Sequence, residues 1–202
     1  MTSIKNEKIL ELNINGRTYY GFDQAWYKTG SQRFSGCGPT VSANIIYYLY
    51  KNERVQNSNL DLESPEAIRN LMDHVWEYVT PGNMGINSTE MLQNGLMDFG
   101  SNNNINLNIK TMDIVKTRCN RYSFDQVSEF LHKSLSNDDP VAFLNLSNGT
   151  IQNLESWHWV LLTGLKENTA TILDQGKKKY IDLEKWLHTT LLGGGFVSVG
   201  IR

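Results

Sequence analysis

The chain has 202 residues, 40% hydrophobic and 20% charged, with a formal net charge of −2 at pH 7; this is apolar material enough for a core, and one domain over 1–202 is expected. The near-neutral charge gives no electrostatic argument for nucleic acid or for an anionic membrane surface, and no apolar run approaches the roughly 20 residues that span a bilayer. The start, Met1 to Leu12, is mixed and charged and lacks the apolar core of a signal peptide, so a cytoplasmic protein without a membrane segment or nucleic-acid partner is expected.

In chain order, Ile9–Ile14 and Thr18–Phe22 alternate around Asn15-Gly16, a hairpin signal because both turn residues accept positive φ. Asp23–Gly36 reads as a polar loop. Pro39–Lys51 reads as an apolar helix, with proline in the first turn, where its missing N–H costs nothing. Ser64-Pro65 predicts the cap and first position of a helix to about Val79, which stops at Pro81-Gly82. A third helix is expected over Ser88–Phe99, ended by Gly100, and a turn at Asn102–Asn104. From Ile105 the period changes to alternation, the mark of a strand. Ser123-Phe124-Asp125-Gln126 resembles a capping box opening a helix to Leu135. Val141–Leu146 and Trp157–Leu165 are apolar runs, and Ala170–Leu173 with Lys179–Ile181 predict a hairpin around Gln175-Gly176. A short helix, Leu183–Leu191, and a last strand, Phe196–Ile201, close the chain. A hairpin, then helices, then mostly strands indicate α+β. The basic run Lys177-Lys178-Lys179 reads as a solvated hairpin tip.

Cys37 lies in Gly36-Cys37-Gly38-Pro39-Thr40 at the start of the first helix. Unpaired N–H groups and the positive end of the helix dipole favour a thiolate there, and the thiolate, not the thiol, is the nucleophile. An inert cysteine beside a helix cap is the competing reading. A nucleophile needs a base. His74, His132 and His188 lie off the apolar stripes and read as surface histidines. His158 is the one polar side chain in Trp157-His158-Trp159-Val160-Leu161-Leu162. As a strand residue it shares a face with Val160 and Leu162, so it is either a hydrogen-bonded core histidine or a catalytic imidazole. A turn centred on Lys166 would set position 158 opposite Asp174, which ends the next strand and is either a turn aspartate or the group that orients the ring. Cys119 is the second cysteine, and two cysteines without a secretory signal are expected to stay reduced. The scattered histidines offer no zinc spacing, and neither a phosphate loop, a dinucleotide fingerprint nor a G-x-S-x-G elbow occurs; no metal and no cofactor are expected.

The order Cys, His, Asp is that of papain-like enzymes. Cys37-Gly38-Pro39-Thr40 before an apolar helix, and His158-Trp159-Val160-Leu161-Leu162 followed by Ile172-Leu173-Asp174, resemble the bacterial bacteriocin-processing (double-glycine leader) cysteine peptidases and their stand-alone relatives, within the papain-like superfamily. The resemblance covers the stretches around Cys37 and His158 and leaves the helical middle unmatched. It implies a papain-like cysteine peptidase fold, with an N-terminal helical part packed on a C-terminal antiparallel sheet. It also implies a thiol hydrolase acting on a peptide or acyl-amide substrate: Cys37 attacks, His158 holds the thiolate and protonates the leaving group, and Asp174 orients His158. Gln32 is the best match to the family's oxyanion-hole glutamine, although its spacing from Cys37 is one position short; Gln24 is the weaker substitute. An acyltransferase with the same triad, or a papain-like binding module without activity, are the competing functions. The polar stretch Asn145–Ser156, just before His158, is expected to border the site.

Overall fold

The structure, a computed structural model, describes residues 1–52, 55 and 64–202. Strand β1 (Thr2–Ser3) and a 3₁₀ turn (Glu7–Leu10) lead into the hairpin β2 (Glu11–Ile14) and β3 (Arg17–Tyr20), closed as expected by Asn15 and Gly16 at φ 52° and 75°. The stretch expected as loop is partly helical: after a 3₁₀ turn at Gln24–Trp26 comes α1 (Gly30–Ser35). A capping box makes this short helix, in which the Thr29 hydroxyl accepts from Gln32 N–H and the Gln32 amide oxygen accepts from Thr29 N–H. Helix α2 (Cys37–Lys51) follows, buried from Gly38 to Leu49. A helix buried all round has no solvated face; α2 packs on both the sheet and α3 (Pro65–Trp76). Helix α4 (Thr89–Asn102), capped by Ser88, runs through Gly100 instead of ending there. At Gly100 the Ile105 carbonyl comes within 2.8 Å of where a Cβ would sit, so that glycine serves a close approach and is not a stop signal.

The second half is a sheet. Strands β4 (Leu107–Ile114), β5 (Val141–Asn145), β6 (His158–Lys166), β7 (Thr169–Asp174), β8 (Lys177–Asp182) and β9 (Gly194–Ile201) are ordered β4-β9-β5-β6-β7-β8 and pair antiparallel, with β1 extending the pairing of β6. Helix α5 (Phe124–Ser136), opened by the expected capping box at Ser123 and Gln126, packs on β1, β5 and β6, and α6 (Leu183–Thr189) packs on β7. Helices thus lie against an antiparallel sheet, the α+β arrangement expected.

One register differs from expectation. The β6–β7 turn is Glu167-Asn168, not a turn centred on Lys166, since Lys166 pairs with Thr169. A bulge then intervenes: Gly164 pairs with Thr171 but Leu162 pairs with Ile172, leaving Thr163 as the extra residue. With Leu161 opposite Leu173, the ladder carries Asp174 opposite Val160 and not opposite His158. Val160 and His158 share a face because side chains alternate with period two, so Asp174 meets His158 diagonally. Without the bulge Asp174 would fall opposite Leu161 and point to the other face. Thr163 is held in place by the N-terminal segment: its carbonyl accepts from Ile4 N–H at 3.0 Å and its hydroxyl donates to Glu7 at 2.6 Å.

The glycines around Cys37 answer to packing. A Cβ on Gly36 would lie 2.4 Å from the Gln32 carbonyl oxygen, and one on Gly38 would lie 2.8 Å from Ile86. Gly38→Ala is therefore expected to lower stability by about 1–3 kcal/mol, as overpacking does, read as a fall in the denaturant midpoint at unchanged m-value. An unchanged midpoint would mean that Ile86 yields without cost.

Candidate active site

Cys37 is the first residue of α2, and Gly36 at the cap supplies no side-chain hydrogen bond to the helix start. Both cysteines are free thiols; Cys37 is half-buried and Cys119 exposed. Behind Cys37 the buried helix fixes the backbone; in front lies a small pocket whose lining includes Cys37, His158, Asp174 and Gln24.

His158 opens β6 and is 6% exposed. Its Nε2 lies 2.7 Å from Asp174 Oδ1, which fixes the ring and leaves Nδ1 for the cysteine side. Burial disfavours the imidazolium, but hydrogen bonds and charge from Asp174 and Cys37 outweigh it, and the His158 pKa rises to about 10. Burial likewise pushes the Asp174 carboxyl up, and the bonds and charges of His158 and Lys179 outweigh it, holding the group below the usual carboxylate value. The second oxygen, Oδ2, is 2.6 Å from Lys179 Nζ.

Three of the four expected site residues come together, and one does not. Gln32 does not line the pocket: its amide oxygen is 3.2 Å from Thr29 N and 3.0 Å from Thr29 Oγ1, inside the capping box of α1. Helix α1 occupies the stretch that a simple spacing argument treats as a loop, and it turns Gln32 back on its own cap. Gln24, from the preceding 3₁₀ turn, lines the pocket instead, with Nε2 donating to the Arg33 carbonyl at 2.9 Å. Lys179 is also outside its expected place. It is not a solvated tip residue but an ion-pair partner of Asp174, as its neighbour Lys178 is of Glu7 at 2.6 Å. The signal available in the sequence was period two: with a two-residue turn at Gln175-Gly176, positions 174, 177 and 179 share one face.

From the pocket a wider groove of about 770 Å³ opens, a volume typical of ligand sites. Its walls are α1, the 82–85 turn and Glu155–Trp157, with Cys37 and His158 at its floor. Of the Asn145–Ser156 stretch only Glu155 and Ser156 line it. Phe34, Met84 and Trp157 expose large apolar side chains on this groove, Phe34 to 92%. Trp157 adopts φ 58°, rare for a bulky residue, and its indole N–H donates to the Met84 carbonyl at 3.0 Å; the Trp159 indole does the same to Ile86 at 2.7 Å. Two indoles thus tie the 82–86 turn to the start of β6. Among the described residues no group of three His, Cys, Asp or Glu is placed to hold a metal ion, and no helix is long and apolar enough to cross a membrane.

The His158 shift has a sign that stability should follow. The folded chain favours the imidazolium, so its contribution is complete below about pH 6.5 and is lost as pH rises through about 10. The Asp174 contribution runs the other way, lost as pH falls through its lowered value. The thermal midpoint of the wild type is expected to decline from about pH 6.5 to about pH 10 more steeply than that of His158→Gln. Parallel curves for the two proteins would remove the charged pair from the account.

No family model matches the chain, and a search of curated proteins found no match. Solved structures do match. The peptidase domain of Streptococcus ComA, a bifunctional ABC transporter involved in a quorum-sensing pathway, is 12% identical, with 84% of this chain and 93% of that one covered and a TM-score of 0.46. The double-glycine-motif protease of an AMS/PCAT transporter, in complex with its leader peptide, is 15% identical over 82% and 84% at 0.42. A C39-like peptidase candidate from Bacillus anthracis is 15% identical over 90% of this chain and 94% of that one, at 0.52. At such identity the likeness is one of fold, and it rests on the last of the three: the chain has the papain-like α+β fold of a C39-like peptidase domain.

Proposed function

We propose that this chain is a thiol hydrolase of the cysteine-peptidase kind, a single papain-like domain that cleaves a peptide-like bond through Cys37, His158 and Asp174. The observation that carries the reading is the meeting, in one pocket, of a cysteine at a helix start with a buried histidine bonded to a buried aspartate. A core histidine needs only one hydrogen-bond acceptor. It does not need a thiol in the lining of the same pocket, at the floor of an open groove.

In the reaction the Cys37 thiolate attacks the carbonyl carbon and the carbonyl oxygen takes the negative charge. The Cys37 backbone N–H and the Gln24 amide are the donors we assign to that oxygen, Gln24 in place of Gln32 because Gln24 lines the pocket. The tetrahedral species collapses as the C–N bond breaks, and the His158 imidazolium gives its proton to the departing amine. A thioester on Cys37 remains. Water, deprotonated by His158, attacks it; the acid leaves and the thiol is regenerated. Asp174 holds the ring throughout.

The first test is alkylation of Cys37 by iodoacetamide between about pH 4 and pH 9, with Cys119 as internal control. Reaction persisting well below neutral pH and lost in His158→Ala supports the pair; a profile like that of a free thiol removes it and leaves the binding-module reading. With a peptide substrate found by screening, Cys37→Ser is expected to lose about 10⁴-fold or more in kcat while Cys119→Ser matches the wild type, and Asp174→Asn should retain more activity than His158→Ala.

The two glutamines separate cleanly. Gln24→Ala is expected to lower kcat by about 10²–10³-fold at little cost in stability. Gln32→Ala should lose only its part of the α1 capping box, a destabilisation of about 1 kcal/mol. A kcat loss in Gln32→Ala with none in Gln24→Ala would reverse the assignment.

A further inference from the structure

We propose that Lys179 is a positioning residue of this site, clamping the free oxygen of Asp174 so that the other oxygen stays on His158. The proposal rests on the Cys37–His158–Asp174 reading above.

The Asp174 carboxylate is held at both oxygens by different strands: Oδ1 by His158 of β6 at 2.7 Å, Oδ2 by Lys179 of β8 at 2.6 Å. The carboxylate is 1% exposed and the Lys179 side chain 23%. A charge-assisted bond so shielded is stronger and less screened than a surface pair. The torsion that turns an aspartate carboxylate is broad and soft, so a single partner leaves the plane of the group poorly fixed; a second partner on the far oxygen limits it. The β7–β8 register makes the clamp. Asp174 pairs with Lys177 and Ile172 with Lys179, which puts Lys179 diagonal to Asp174 on the same face. Lys178, between them, points to Glu7 instead.

The clamp matters most when His158 is neutral. With the thiolate present, charges alternate along the row Cys37, His158, Asp174, Lys179. Once His158 has passed its proton to the leaving amine, Asp174 loses its cationic neighbour and would stand as a buried, unpaired anion, which is costly. Lys179 remains, so Asp174 keeps its charge and its orientation for the water step. The groups around Asp174 are His158 from β6, Lys177 and Lys179 from β8, Cys37 from α2, and Glu155, which is bonded to the adjacent Gln175. Of these only His158 and Lys179 touch the carboxylate in a hydrogen bond among the described residues.

The test is the pH at which the His158–Asp174 bond is lost, read on the full chain from the downfield ring N–H proton of His158 by NMR. In the wild type this resonance should persist far into acid. In Lys179→Met, and in Lys179→Gln as a second variant, it should vanish about one pH unit higher, because Asp174 then takes a proton more readily. Lys179→Arg should restore the wild-type edge. An unmoved edge in both neutral variants, or a wild type lacking the resonance, overturns the proposal. So does an Arg variant that behaves like Met with a parallel loss of thermal midpoint, since packing of the lysine stem would then be the cause. Failure of the hydrolase reading looks different: wild-type Cys37 alkylates like a free thiol, whatever the NMR edge does.

Discussion

Asp174 reaches His158 because β6 carries one residue more than β7 between Leu162 and Gly164. In a sheet the face of a side chain is a matter of parity, and a single extra residue inverts it for everything beyond. The site as described hangs on that inversion. The bulge is in turn secured from outside the β6–β7 hairpin. Ile4 and Glu7 bind Thr163, and Glu7 also binds Lys178 on β8. The first residues of the chain therefore bear on the register of strands more than 150 positions away, by fixing the one irregularity that aims Asp174.

Much of this was legible in the sequence, and the reason is local. Asn15-Gly16 and Gln175-Gly176 specify two-residue turns, Ser64-Pro65 and the Ser123 capping box specify helix starts, and the run after Cys37 is too apolar to be anything but buried. Cys37, His158 and Asp174 stood out because each breaks the pattern of the element it sits on. What failed to show is set by tertiary structure. The turn at Glu167-Asn168 and the bulge at Thr163 have no composition of their own; shifting the turn alone would have put Asp174 on the wrong face, and the two departures from simple counting together restore it. Helix α1 was hidden because it has only six residues and no apolar stripe; its sole mark is Thr29 followed three positions later by Gln32. That same mark explains why Gln32 is bound to a cap and not to the pocket.

Lys179 was misread for a related reason. A run of three lysines looks solvated when each is considered as a residue of a tip, yet a strand sends alternate side chains to opposite faces. Lys178 and Lys179 accordingly serve different carboxylates, Glu7 and Asp174. The first anchors the segment that holds the bulge, and the second holds the aspartate that the bulge aims. Both ion pairs thus bear on one geometric outcome, the approach of a carboxylate to the His158 ring.

The arrangement separates rigidity from variability. Cys37 is attached to a helix buried along its length, and His158, Asp174 and Lys179 to three consecutive strands of one sheet. Such elements hold side chains to within the tolerance that proton transfer needs. The groove walls are of another kind: a six-residue helix, the 82–85 turn and the end of a long loop. Loops tolerate change that a core does not. Under the proposed hydrolase reading, residues such as Phe34 and Met84 are free to vary while the pocket beneath stays fixed. Trp157 is the exception among the walls. Its backbone is strained, its neighbour is His158, and its indole is committed to Met84. A substitution there would loosen the wall and the start of β6 together, so of the three exposed apolar residues it is the one whose loss should disturb the groove and the placement of His158 at once.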